Sequence, residues 1–487
     1  MAGSCFSQTQ TSDQTKLKRG LKSRHIELIA IGGAIGVGLF LGSAKVIQNA
    51  GPGLVLGYAV GGLVIFFIMR ALGELLLYRP VAGSFVMYAD EFVGPFAGFA
   101  TGWSYWFTWV VTGMAELTAI GVYVGYWLPA FPQWIAVLAA LVVLYGANML
   151  AVRVFGEMEF WFALIKVTMI VTLIVGGLAV ILFRVGDLGT TAGFSNLWSH
   201  GGLLPFGILG VLLTFQMVMF AFQGVELIGV TAGEAENPEV VLPWATNGIV
   251  YRILIFYIGA LAVIMSLVPW NQIDPRMSPF VLVFNRIGIP GAADIVNLVV
   301  ITAAMSSCNS GLYSTGRMLH ALSEIGQAPS ALGAINRRHL PAAAITVSAA
   351  LMLVGVLLNF LVPDQVFIWV TSVALIGTLW TWAIIMLAHR GYKQAVQEGG
   401  AHGVSFRMPG APLANWLVVG FLIVVAALLS IEPGTRVALY VAPIWFGLLG
   451  VAYVRMKPRP RQNMDFAVER SPLPQRLVRF HPPHDSE

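Results

Sequence analysis

The chain has 487 residues, of which 57% are apolar and only 10% charged, with a formal net charge of +5 and two cysteines. Soluble chains hold about 45–50% apolar and about 25% charged residues, so a water-soluble domain is excluded and an all-α polytopic membrane protein is expected. The basic balance does not argue for nucleic acid, because lysines and arginines collect in alternate loops. Cys5 and Cys308 share no CxxC or metal-ligand spacing, so neither a disulfide nor a metal site is expected.

Apolar runs long enough to span a bilayer, at about 20 residues per helix, occur about twelve times. They fall near 26–48, 53–76, 95–128, 131–150, 157–183, 205–232, 246–270, 290–322, 341–361, 364–389, 412–430 and 436–455. Lys16, Lys18, Arg19, Lys22 and Arg24 precede the first run, and Arg70 and Arg79 follow the second. Arg337 and Arg338 follow the eighth, Arg390, Lys393 and Arg407 the tenth, and Arg455, Lys457, Arg459 and Arg461 the twelfth. The opposite loops carry scattered charges such as Lys45, Arg184, Arg276 and Arg436. By the positive-inside rule both termini are cytoplasmic. Residues 1–22, rich in Ser, Thr and Gln, and 456–487, rich in Pro and Arg, read as disordered segments around a twelve-helix domain at 23–455. The leader lacks the apolar core and cleavage site of a signal peptide. His481 and His484 in the tail supply too few ligands for a metal.

The stretch Ile26 to Ser43 organises the rest. It is apolar, yet Gly32, Gly33, Gly36, Gly38 and Gly42 crowd it, each costing about 1 kcal/mol of helix stability relative to alanine. It reads as a helix broken in mid-membrane. Freed backbone groups in hydrocarbon survive only where they face protein, water or a ligand, which makes the break a candidate binding site. Span two starts after the turn Gly51-Pro52-Gly53 and ends at Arg70, whose side chain can snorkel. The linker from Tyr78 to Gly94 is amphipathic enough to lie at the surface. Span three is long and carries Trp103, Tyr105, Trp106 and Trp109, read as belt or packing aromatics with a pocket role for one of them as the alternative.

Span six shows a second interruption: FAFQGVELIGVTAG sets Gln223 and Gly224 beside Glu226, with Gly229 and Gly233 behind. Spans one and six are five apart. Interruptions at corresponding places in two halves point to a transporter with inverted repeats, here about 26–183 and 205–389, with extra helices at about 412–455.

Three ionisable side chains sit in or near the membrane interior: Glu116, Lys166 and Glu226. Each costs at least about 2.5–3.5 kcal/mol at a helix centre, so each should face the bundle interior with a partner. Lys166 is either a proton-coupling group that changes protonation as a cavity opens and closes, or a permanent ammonium that caps carbonyls of the broken first helix or snorkels. Glu226 either holds unwound backbone or takes part in proton transfer. Glu116 either sits in apolar packing or meets a substrate ammonium. Ser306, Ser307, Asn309 and Ser310 form a polar stripe that could help bind sodium or simply bond the preceding turn.

The two breaks together suit a zwitterion. Amides at Gly36, Val37 and Gly38 can receive a carboxylate. Carbonyls at Ala34, Ile35, Phe220, Ala221 and Gln223 can accept from an ammonium, and Gly224 belongs to the same set.

These residues also carry a resemblance. RHIELIAIGGAIGVGLFLGS, AGPG (50–53), MRALGELL (69–76), GMAELTAI (113–120), FGEMEFWFALIK (155–166), ELIGVTAGEAENPE (226–239) and NSGLYSTGRML (309–319) occur in an order that resembles bacterial amino acid permeases, in the amino acid transporter branch of the amino acid–polyamine–organocation superfamily. The likeness runs nearly to residue 455. It implies about twelve helices with a five-plus-five inverted repeat, broken helices 1 and 6, and two extra helices. It also implies secondary, proton-coupled amino acid transport across the inner membrane. By matching motifs the glycine break binds the substrate carboxylate, Phe220 is an aromatic gate, and Lys166 corresponds to a span-five lysine implicated in proton coupling. One departure is Gly36-Val37-Gly38 where the family usually shows G-T-G, which removes a hydroxyl. WFTWVVTGMAELTAIG resembles carriers of D-serine, D-alanine and glycine and of aromatic amino acids, whereas FQMVMFAF and VPWNQ resemble the proline or histidine branch.

The expected function is import of a neutral amino acid with a proton, the partners being substrate, proton and lipid bilayer, with no cofactor. A non-translocating sensor and a sodium-coupled carrier are the alternatives. An enzyme is not expected, since neither a nucleophile with its base nor a metal motif such as HExxH occurs.

Overall fold

The computed structural model describes residues 35–80, 84–149, 152–185, 187–227, 229, 238–336 and 338–456. The leader, the tail, Ala34 and most of the segment after Glu226 lie outside these residues, as do Gly32, Gly33 and Gly233. Among the described residues every regular element is helical. Among these residues eight helical stretches are long and apolar enough to cross a membrane, and three shorter apolar helices accompany them.

The first break is visible at Gly36, which is extended (φ −122°, ψ −158°) ahead of the single turn α1 (Val37–Phe40) and of α2 (Gly42–Ala50). A tight turn at Gly51–Gly53 leads into α3 (Leu54–Tyr78). The expected amphipathic linker contains the short helix α4 (Ser84–Phe92). The 31-residue α5 (Pro95–Gly125) follows, started by a proline at its first position, where no intrahelical N–H is needed. Then come α6 (Gln133–Asn148), α7 (Val152–Phe183) and α8 (Gly207–Ala221).

Span seven comprises α9 (Pro238–Arg252), a wide turn at Ile253–Gly259 and α10 (Ala260–Leu267). The longer remaining helices are α11 (Pro279–Ile287), α12 (Ala292–Glu324), α13 (Ala342–Leu361), α14 (Pro363–Gln397), α15 (Leu413–Leu428) and α16 (Val437–Met456).

Two groups of helices position the site. In one, α2 lies along α8, both pack on α3, and α9 covers α3. In the other, α5 forms the axis: α12 and α14 press against it most extensively, with α6 and α13 behind. α1 touches α5, α8 and α12, so the broken helix sits where the groups meet. Leu56, Leu63, Val142, Val143, Val175, Leu182, Leu417 and Leu448 are more than half exposed on the outside. Such a surface would be an aggregation liability in water and is what lipid contact requires.

The two groups are tied at one end by α14 and the segment that follows it. Glu74 of α3, almost fully buried, accepts from His389 Nε2 at 2.9 Å, Lys393 Nζ at 2.9 Å and the backbone N–H of Met408 at 2.7 Å. Asn415 Nδ2 donates to His389 Nδ1 at 3.1 Å, which leaves Nε2 as the donor toward Glu74. Arg70 does not snorkel freely: its guanidinium stacks 3.7 Å over the Phe406 ring and donates to Asn247 Oδ1 and to the carbonyl of Arg407. A planar guanidinium can stack and bond in its plane at once, and α3, α9 and the loop together offer it both.

A candidate substrate cavity between two broken helices

At the second break α8 ends at Ala221, and the chain turns through Phe222 to Glu226. Gly224 sits at φ +96°, a conformation that side-chain-bearing residues rarely adopt. Its N–H would be stranded in the bilayer interior. Both carboxylate oxygens of Glu226 accept from it, at 3.2 and 3.3 Å, and Glu226 also accepts from the indole Nε1 of Trp382 at 3.3 Å. The orphaned donor is thus satisfied from two residues further along the chain.

At the first break the N–H of Val37 points at the carboxylate of Glu116 on α5, 3.3 and 3.4 Å from its two oxygens. From the sequence this amide is expected to receive a substrate carboxylate; in the structure a protein carboxylate holds it. The Ile35 carbonyl on the other side of Gly36 accepts from Lys166 Nζ at 3.2 Å. Lys166 also donates to Ser306 Oγ at 3.1 Å, and Ser306 in turn donates to Glu159. Lys166 and Glu159 are both 0% exposed, and Glu116 is 2% exposed.

The breaks face each other closely. A Cβ built on Gly38 would stand 2.6 Å from the Cα and 2.9 Å from the Cβ of Ala221, so only glycine lets α1 approach the end of α8. Around this contact lies a small cavity walled by Gly36, Gly38, Glu116, Phe220, Ala221 and Gln223, completed by Trp109, Thr112 and Ser307. Its free space is about 10 Å³, room for about one water, so admitting an amino acid requires the surrounding side chains to move. Gln223 Nε2 donates to Thr112 Oγ1 at 2.6 Å, while its own Oε1 has no hydrogen-bond partner.

Other candidate acceptors already have one partner. The Phe220 carbonyl accepts from the Gln223 N–H at 3.0 Å, and the Ala221 carbonyl from Tyr257 Oη at 2.9 Å. Each carbonyl has a second lone pair. Ile35, Val37 and Gly224 lie behind the wall rather than in it. Lys166 and Glu226 also stand back from the cavity, each bonded to the backbone of one break.

Glu159, Thr112 and the Glu74–His389 pair are not singled out by the sequence pattern, in which Trp109 reads mainly as a packing aromatic. Glu159 sits seven residues before Lys166, two turns along one face of α7, and that spacing was the available signal. In the polar stripe, Ser306 faces Lys166, Ser307 lines the cavity, and Asn309 accepts from Asn148 Nδ2 at 2.8 Å.

Comparison with known proteins agrees with this architecture. The amino acid permease family matches residues 25–464. An uncharacterized amino acid permease of Bacillus subtilis, YtnA, is 53% identical over 438 residues, covering 90% of this chain and 95% of its own. The aromatic amino acid transport protein AroP of Escherichia coli K12 is 47% identical over 441 residues, with the same coverage. A probable threonine/serine transporter of Bacillus subtilis, YbxG, is 45% identical over 439 residues, again covering 90% and 95%. The chain belongs to the amino acid permease family, and is a multi-pass, all-helical membrane transporter rather than an enzyme.

Proposed function

We propose that the protein is a secondary active transporter that imports a neutral amino acid with a proton across a bacterial inner membrane, both termini being cytoplasmic. The observation that carries the reading is the cavity between the two broken helices, with a buried lysine bonded to the backbone of the first. Gly36, Gly38, Phe220 and Ala221 come from the breaks themselves, and Lys166 reaches the Ile35 carbonyl one residue away from the wall.

A neutral substrate suits the lining, in which Glu116 is the one ionisable side chain and no cation stands ready for an acidic side chain. The names of the relatives AroP and YbxG, for aromatic amino acids and for threonine and serine, favour the same class. The substrate carboxylate competes with Glu116 for the Val37 N–H, and the displaced Glu116 then faces the substrate ammonium. Gln223 Oε1 and the spare lone pairs of the Phe220 and Ala221 carbonyls complete the acceptors. Phe220 closes over the bound molecule, and the helix group containing α2, α3 and α8 rocks against the α5 group in alternating access.

Proton coupling is assigned to Lys166. Its ammonium holds the Ile35 carbonyl and Ser306, so losing the proton weakens a tether between α7 and the first break. A cation at Nζ also opposes sodium beside Ser306 by like-charge repulsion.

The test is uptake into proteoliposomes of each proteinogenic L-amino acid, with D-alanine and D-serine, under an inward proton gradient without sodium. Concentrative uptake of a few neutral amino acids supports the reading. Uptake that appears only with sodium gives the coupling to that ion. Saturable binding without flux makes the protein a sensor.

A further inference from the structure

A second cavity, of about 210 Å³, opens at the C-terminal end of α5. Tyr123 and Tyr126 form one side of it. Arg276 and Ser278, from the segment leading into α11, and Val281 of α11 form another, and Asn297 of α12 closes it. It shares no wall residue with the central cavity. Tyr123 is seven residues beyond Glu116, on the same face of α5 and about 10 Å further along the axis. Pockets for drug-sized ligands run to about 300–1,000 Å³, so this one suits a molecule of amino acid size.

The chemistry of its walls is two-sided. Arg276 is exposed at the rim, and its guanidinium makes no ion pair among the described residues. The neighbouring Asp274 accepts the backbone N–H of Arg276 at 2.8 Å, and Asp294 accepts from Trp127 Nε1 at 2.7 Å. On the other side, the carbonyl end of the 31-residue α5 favours a cation. Between them, Tyr123 and Ser278 are almost fully buried, yet neither hydroxyl has a hydrogen-bond partner. Buried polar groups ordinarily have one, and two orphaned hydroxyls lining one cavity mark a place where a polar ligand supplies it. Asn297 Nδ2 is already spent on the Tyr123 carbonyl at 2.8 Å, fixing α12 against α5.

The cover of this cavity is seated on the broken helix. Phe280, beside Val281, meets the Phe40 ring edge-on at 5.0 Å, and Gln48 of α2 donates to the Ile273 carbonyl.

We propose that this cavity is a second, peripheral binding site for the free amino acid that the protein carries, Arg276 receiving the carboxylate and the end of α5 facing the ammonium. The proposal rests on the transport reading above and adds a site to it. The experiment is equilibrium binding of tritiated L-serine, L-threonine and L-phenylalanine to the purified full-length protein, beside proteoliposome uptake of the same three. For whichever is taken up, two molecules bind per chain. Arg276→Ala reduces this to one and leaves the affinity of the remaining site unchanged, while Arg286→Ala, a nearby cation outside the cavity wall, keeps two. Ser278→Ala, a small change at a buried position, weakens the same one of the two sites severalfold. One molecule per chain with uptake intact, or two in Arg276→Ala, overturns the second site alone. Neither binding nor uptake of any of the three overturns it together with the transport reading for these substrates.

Discussion

Lys166 Nζ and the carbonyl oxygen of Ile35 stand 3.2 Å apart, joining α7 to the backbone break 131 residues earlier. Because Lys166 also reaches Ser306, which donates to Glu159, the ammonium links a freed backbone carbonyl to a buried carboxylate. Replacing Lys166 by methionine leaves Glu159 buried without its counter-charge, at a cost of about 3–5 kcal/mol. Thermal melting in detergent should show a large loss for Lys166→Met, and most of it recovered in Lys166→Met with Glu159→Gln. Gradient-driven accumulation should be absent from both, and full accumulation in the double variant would remove Lys166 from the coupling step.

Gly38 is a steric requirement of the closed site. The Cβ of an alanine there meets the Ala221 backbone, which no rotamer change relieves. Overpacking of this kind costs about 1–3 kcal/mol, so uptake by Gly38→Ala should fall roughly 5- to 160-fold at unchanged membrane abundance. Uptake within twofold of the parent protein would show that the two breaks separate during the rate-limiting step.

For Glu226 charge and shape can be separated. A glutamine keeps one acceptor for the Gly224 N–H, whereas an alanine strands it, and a hydrogen bond to a charged group contributes about 1.5–3 kcal/mol. Glu226→Gln should retain uptake within about threefold, and Glu226→Ala should lose more than about tenfold. Equal losses in the two variants would point instead to a proton carried at this position.

Gln223 presents an unpartnered oxygen to the cavity and donates to Thr112. Gln223→Leu removes the acceptor at similar volume, and its KM should rise about tenfold with little change in maximal rate, the signature of lost ground-state binding. A fall in maximal rate at constant KM would place Gln223 in the conformational step instead.

Much of this site was legible in the sequence because it rests on local signals. Gly36 and Gly38 stand out where glycine interrupts an apolar run, Gln223 and Glu226 where polar residues do the same, and Lys166 and Glu116 where a charge sits in a span. What escaped depends on how helices cross. Trp109 and Thr112 share a face of α5 with several other polar and aromatic residues, and only the packing of α1, α8 and α12 on that helix selects them. Glu159 lay near an apparent span boundary, where a charge needs no partner, because hydropathy does not show that α7 begins at Val152. Glu74 was hidden for the opposite reason: its partners His389, Lys393 and Met408 lie more than 300 residues away.

That separation bears on how the molecule is made. When α3 leaves the ribosome, none of the donors that will surround Glu74 has yet been synthesised, and the third arrives only with Met408. The early helices must wait in the bilayer as an adjustable assembly, which the loop before α15 locks once the final fifth of the chain is being made. A polypeptide stopped just short of Met408 would contain both broken helices, the cavity and Lys166, yet would still lack the last donor to the carboxylate that fastens its two halves together.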